Sequence, residues 1–288
     1  MQVELNTKTG KAILDTHGGE LVSYRDIKNI EYIWQGDAAY WSGRNPHLFP
    51  IVGELKDGKS QINGQVYEMA RHGFARNSEF TVIEQGTDYA VLELRENEET
   101  LKKYPFQFQL RVKHELTESG FETSFMIKNT GDEDMPFCIG AHTAFNCAMH
   151  EGSHFEDYLL MFDQSEDIPS FVSYPDGRQT AVAGSEKTIP LHHEIFDAID
   201  TLVFEQLNST GVSLVHHQTG HGVRMDFDGF PIVAFWTKPN SDAPYICIEP
   251  WIGHGEESFS TGKFIDKPYL VTLPPQQELS RSYRVSVL

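Results

Sequence analysis

Phe106-Gln107-Phe108-Gln109-Leu110-Arg111-Val112-Lys113 alternates apolar and polar residues without a break, the period of a strand with one buried and one wet face. A turn at Glu118-Ser119-Gly120 follows, and beyond it Phe121, Thr123, Phe125 and Ile127 again fall on one side. The two runs read as a long hairpin. Asn63-Gly64, between Gln61-Ile62 and Gln65-Val66-Tyr67, is the favoured two-residue hairpin turn. Near the C-terminus Leu279, Tyr283, Val285 and Val287 share one side, and Gly10, Gly18-Gly19, Gly86, Gly211 and Asp228-Gly229 punctuate shorter strands. Helical signals are thin. Asn97 to Tyr104 predicts about two turns before Pro105, with glutamates at its start and lysines at its end. Ser153 to Tyr158 predicts one more turn. No low-complexity linker or compositional shift divides the chain. The expectation is an all-β protein, a large antiparallel β-sandwich with few short helices, with residues 1–288 as a single domain.

The chain carries 42 acidic and 23 basic residues, a formal charge of −19. That balance argues against nucleic acid and anionic membranes as partners, because neutralising phosphates needs clustered Lys and Arg. No stretch approaches the roughly 18 apolar residues of a membrane span, and Met1-Gln2-Val3-Glu4-Leu5 lacks a basic-then-apolar leader. Cys138, Cys147 and Cys247 make an odd count without metal-ligand spacing, which predicts free thiols in a reducing compartment. A cytoplasmic protein is expected.

Two polar residues stand in apolar surroundings. In Tyr245-Ile246-Cys247-Ile248-Glu249-Pro250-Trp251 a strand-like run carries one acid. An unpaired buried carboxylate costs several kcal/mol, so such a residue is paired, reaches water at a strand end, or is held for chemistry. An apolar wall also raises its pKa towards neutrality. About a hundred positions earlier, Phe137-Cys138-Ile139-Gly140-Ala141-His142-Thr143-Ala144-Phe145-Asn146 places a histidine in a similar run. Either could be a satisfied structural group. Two further segments combine polar chemistry with packing: Trp41 to Gly53, with Arg44, Asn45 and His47, and Arg71-His72-Gly73-Phe74-Ala75-Arg76-Asn77.

The rival chemistries lack their signatures. His192-His193 and His216-His217 would point to opposite faces of a strand. The Gly-x-Ser-x-Gly elbow, the Gly-x-Gly-x-x-Gly turn and the phosphate-cradling P-loop are missing from the sequence. No metal and no nucleotide cofactor is expected. What remains is acid–base work by a His and a Glu among aromatics, an inventory suited to a sugar, whose hydroxyls need donors and acceptors and whose C–H face stacks on rings.

Five ordered strings carry a resemblance over nearly the whole chain: Phe49-Pro50-Ile51-Val52-Gly53, His72-Gly73-Phe74-Ala75-Arg76, Gly140 to Asn146, Asp200-Thr201-Leu202-Val203-Phe204, and Cys247-Ile248-Glu249-Pro250-Trp251. In these the sequence resembles the aldose 1-epimerase (galactose mutarotase) family, most closely its LacX-like branch. The resemblance implies a galactose mutarotase-like β-supersandwich and interconversion of the α and β anomers of an aldohexose. It places the family's general acid on His142, its general base on Glu249, a substrate-binding histidine on His72 and a hydroxyl-binding aspartate on Asp200. Arg76 corresponds to an arginine of the sugar-phosphate epimerase relatives. Arg44 is the nearest counterpart of a second family arginine, shifted by about two positions. Glu54 follows Gly53 where the branch usually carries arginine. A hexose-6-phosphate 1-epimerase, a non-catalytic carbohydrate-binding protein and a glycosidase using Glu249 with Asp200 are the competing readings. The acid and base are expected to converge across a shallow groove with one pyranose between them, in a monomer or a homodimer.

Overall fold

The computed structural model describes residues 1–149, 152–255 and 261–288. In it the long hairpin is the strands Phe108–Leu116 and Gly120–Asn129, paired without a slip from Phe121–Leu116 to Asn129–Phe108. Phe108, Leu110, Val112, Phe121, Phe125 and Ile127 are buried, while Arg111, Lys113, Glu122 and Ser124 between them stay partly wet. Each fully buried apolar side chain of this size contributes about 1.5–3 kcal/mol. The hairpin lies inside a nine-stranded antiparallel sheet. Glu278–Val287 pairs with it on one side and Tyr89–Arg95 on the other. Asn63 and Gly64 take φ of 49° and 81°, as a two-residue turn between Lys59–Ile62 and Gln65–Glu68 requires.

A second sheet has six strands. Thr201–Glu205, Ile232–Trp236 and Tyr245–Ile252 lie side by side, and Tyr245–Ile252 then pairs with Ile139–Ala141 and Thr143–Asn146. The short strand His47–Leu48 closes that edge. Its inner face packs on the nine-stranded sheet: the Phe162 ring lies 5.8 Å from Phe235, and the Thr143 hydroxyl oxygen lies 3.3 Å from that of Tyr283. One continuous apolar cluster runs between the sheets from Val3 to Val285. The result is the large antiparallel β-sandwich that the alternation predicts.

Asn97 caps a helix over Glu98–Leu101, shorter than its charge pattern suggests. Phe155–Asp157 forms the second expected turn. A third helix, His193–Ile199, carries no clear signal in sequence, because seven residues are too few to show a period and it opens on two histidines. It buries Ile195, Phe196 and Ala198 and ends at Asp200. Among the described residues no helix is long and apolar enough to cross a membrane.

Candidate active site

Alternation along Tyr245–Ile252 decides where the site lies. Ile246, Ile248 and Ile252 point into the core between the sheets. Tyr245, Cys247, Glu249 and Trp251 therefore stand on the outer face, where two smaller clusters hold Tyr245 and Cys247 with Ala144, and Trp251 with Leu48 and Ala234. Loops cover this face, so Glu249 is only 1% exposed although it points away from the main core. It is not a strand-end acid reaching into water. The neighbouring chain pairs Gly140 with Trp251 and Thr143 with Ile248. Continued between those pairs, the register puts His142 directly opposite Glu249. Gly140 is needed here, since a Cβ would stand 2.7 Å from the Trp251 ring.

The two groups touch. His142 Nε2 lies 3.3 Å from Glu249 Oε1, which leaves no space for a sugar ring between them. The expected arrangement is corrected on that point: opposite partners on adjacent strands are held about 5 Å apart at Cβ, so a ring has to sit over the pair.

Burial pushes the Glu249 carboxyl well above its usual range, and Asp200 adds to the rise. The Trp251 indole N–H, Arg71 and Arg76 partly offset it, though the indole closes no hydrogen bond of ordinary geometry. Burial likewise holds the His142 imidazole well below its usual value, with the nearby His72 ring and the Arg76 and Arg71 charges adding to the effect. Both shifts favour the neutral forms of the two groups. His142 Nδ1, Glu249 Oε2 and Trp251 Nε1 are all buried without a hydrogen-bond partner. An unsatisfied buried polar atom costs about 1–3 kcal/mol, and three around one point mark a surface made to meet a polar ligand.

The pair forms the floor of a groove of about 540 Å³. Trp41 lies tilted over the His142 ring at 4.9 Å and Trp236 meets it edge-on at 5.6 Å. With Trp251 they give the groove three indole walls. Trp41 depends on Gly43, whose Cβ would lie 2.3 Å from the indole. Neither Trp41 nor Trp236 stands out in the sequence; each sits in an apolar or glycine-rich run that reads as packing. His72 faces His142 edge-on at 5.8 Å. Its Nδ1 accepts from the Gly53 N–H at 3.1 Å, and burial holds it neutral with a pKa of about 3, so Nε2 carries the proton and is a donor. Arg76 and Asp200 also line the groove. Asp200 Oδ1 accepts from the Trp236 indole at 3.4 Å and Oδ2 from the Thr201 hydroxyl at 2.9 Å.

Arg44 is not brought to this groove. It lines a separate cleft beside the strands Gln2–Asn6 and Gly10–Asp15, and its charge acts on the half-buried Glu20, whose pKa burial lifts to about 7. Asn45 and His47 are core residues. Asn45 accepts from Thr143 at 2.7 Å and so braces the chain next to His142. Glu54 has a partner at the groove rim, the Arg71 guanidinium at 3.5 Å. One set of donors on the floor is suited to a cation: His142, Cys247 and Glu249 place one ligand atom each within 4.8 Å of one another.

Against known proteins, the sequence profile described as "Aldose 1-epimerase" matches residues 1–286. The chain is 34% identical to the plasmid-borne Protein LacX of Lactococcus lactis subsp. lactis over 301 aligned positions, covering all of both chains, and equally so to the chromosomal Protein LacX of that organism. The structure of a galactose mutarotase related enzyme from Lactobacillus acidophilus superposes with a TM-score of 0.91 at 28% identity, over 100% of this chain and 97% of that one. A galactose mutarotase-like protein from Lactobacillus casei gives 0.90 at 26% identity, with both chains fully covered.

Proposed function

The chain belongs to the aldose 1-epimerase family, and we propose that this groove interconverts the α and β anomers of an aldohexose by general acid–base ring opening and reclosure. The observation that carries the reading is the His142–Glu249 contact at 3.3 Å on a floor walled by indoles. Ring opening removes the proton of the anomeric hydroxyl and delivers one to the ring oxygen. Glu249 takes the first and His142 gives the second; the aldehyde turns about C1–C2 and recloses with the roles reversed. The pair begins and ends with one proton, so no net charge is created in a dry site. The Trp251 N–H and the Arg76 charge favour the carboxylate form of Glu249 that the first step needs, and the anomeric hydroxyl donates to it. His72 Nε2–H, Arg76 and Asp200 hold ring hydroxyls, and the indoles stack on the C–H face. General acid–base catalysis supplies about 10²–10⁴-fold, enough for a reaction that already proceeds in water.

A neutral aldose fits better than its 6-phosphate. Arg71 is paired with Glu54, and Arg76 lies in the field of Glu20 and Glu249, so a phosphate dianion has to compete with acidic side chains for both. Three buried free thiols support a reducing, cytoplasmic setting, and the continuous core supports residues 1–288 acting as one domain. The test is polarimetry on glucose, galactose and their 6-phosphates. Glu249→Gln is expected to lose at least about 10²-fold in catalysed mutarotation while keeping its fold and sugar affinity. Retention of most of the rate excludes Glu249 as the base. Saturable sugar binding by the parent protein with no rate enhancement leaves a binding protein instead.

A further inference from the structure

We propose that the groove floor is also a binding site for a thiophilic divalent cation of the Zn²⁺ type, held by the Cys247 thiolate, the His142 imidazole and a Glu249 carboxylate oxygen, and that the bound ion silences the enzyme. The silencing half rests on the acid–base reading of His142 and Glu249; the ion site itself does not.

Cys247 and Glu249 are two positions apart on one strand, so their side chains share the outer face, and His142 arrives opposite Glu249 from the neighbouring strand. The three ligand atoms lie within 4.8 Å of one another. Donors around a tetrahedral zinc are ~3.3–3.8 Å apart, given bonds of about 2.0–2.3 Å. The His142–Glu249 edge, at 3.3 Å, already has that length. Only the thiol has to approach, by about 1 Å or less. Ala144 and Trp236 flank Cys247 on its two sides, and the small Ala234 flanks Glu249 opposite His142. Cys247 is fully buried, and His142 and Glu249 are 7% and 1% exposed, which keeps competing water out while the groove gives a way in for the ion.

Charge favours the same ion. A dication with one thiolate, one carboxylate and a neutral imidazole forms a complex of zero net charge, the form that a buried site tolerates. A thiolate with an imidazole selects zinc over magnesium or calcium. Three protein ligands leave the fourth position towards the groove, where a water or sugar hydroxyl completes the tetrahedron. His142 Nδ1 has no partner to brace the ring, so affinity is expected below that of a structural zinc site.

The test titrates Co²⁺ and then Zn²⁺ into the full-length protein, with mutarotation followed on the same samples. One equivalent of Co²⁺ is expected to give tetrahedral ligand-field bands with a thiolate-to-metal charge-transfer band, both abolished by Zn²⁺, as mutarotation stops. Cys247→Ala should keep mutarotation, lose the charge-transfer band and need at least about tenfold more Zn²⁺ for inhibition. Cys247→Ser replaces it if the alanine variant does not fold. Glu249→Gln should lose the ion as well as the rate. A Cys247 variant inhibited like the parent protein, or Co²⁺ spectra without a thiolate band, overturns the site. A thiolate-bound ion that leaves mutarotation running overturns the silencing and counts against the acid–base reading, while the ion site stands. If the parent protein shows no mutarotation, the Co²⁺ bands still decide the ion site alone.

Discussion

The chemistry of the floor comes from placing two ordinary side chains where neither can be charged at low cost. Burial drives the Glu249 carboxyl up and the His142 imidazole down, so each group resists its charged form. A histidine whose value is lowered takes up its extra proton only below 6.5. The acid fall of kcat/KM, which reports the free enzyme, should therefore be displaced to lower pH than an ordinary imidazole gives. An acid limb with half-loss of kcat/KM centred at 6.5 would mean an ordinary solvated imidazole and would remove the basis for a buried pair.

A strand and a helix end show how legible the site is from sequence. Alternation in Tyr245–Ile252 tells which residues share a face, and one acid among isoleucines stands out because burying it is costly. His142 stands out for the same reason. Their partnership is not legible, since register between strands about a hundred residues apart is set by packing that no local pattern contains. Trp41 and Trp236 are hidden for a different reason: an indole that walls a groove and one that fills a core look alike in sequence. Arg44 misleads because nearness to a motif along the chain does not fix which face the side chain takes. The helix His193–Ile199 is too short for periodicity to reveal, yet its end sets Asp200. That residue has φ 62° and ψ −64°, close to the rare γ-turn conformation, which is strained for a side chain with a Cβ. Such strain is worth about 1–3 kcal/mol and is kept where function requires the side chain. Asp200→Gly relieves it but adds unfolded-state entropy of about 0.5–1 kcal/mol. Urea unfolding should show stability unchanged to within about 1 kcal/mol, while KM for the sugar rises severalfold with kcat less affected. A clear loss of stability with KM unchanged would make Asp200 a helix-end residue only.

One carbonyl ties the N-terminal strands to both sheets of the sandwich. Gly19 lies between the N-terminal strands Gly10–Asp15 and Glu20–Asp26, and its oxygen accepts from His47 Nε2 at 2.9 Å and from His114 Nε2 at 2.8 Å. His47 belongs to the six-stranded sheet and His114 to the nine-stranded one, so three sheets meet there. A carbonyl only accepts, so both Nε2 atoms carry hydrogen, and His114 Nδ1 accepts from the Thr123 hydroxyl at 2.9 Å. The rings stack at 5.6 Å, and neither can charge without opposing its neighbour and its burial. Burial lowers His47 to about 3 and His114 to about 4, from 6.5. Groups lowered in the folded state give stability that is full above 6.5 and is lost as pH falls through those values. Glu20, raised to about 7, and Glu249 act in the opposite sense, so a variant compared with its parent isolates the histidine better than the raw slope. His114→Gln keeps an amide donor for Gly19 but cannot titrate. Near pH 5 the unfolded parent binds about one proton more at this position than the folded one, worth about 1.4 kcal/mol per pH unit. Urea unfolding should show the two curves parallel from pH 8 to about 6.5 and the variant closing the gap to its parent, towards that slope, as the solution is acidified further to pH 5. Two curves that stay parallel over the whole range would show that His114 does not titrate with folding, and the acid sensitivity would have to be sought at His47 and the groove histidines.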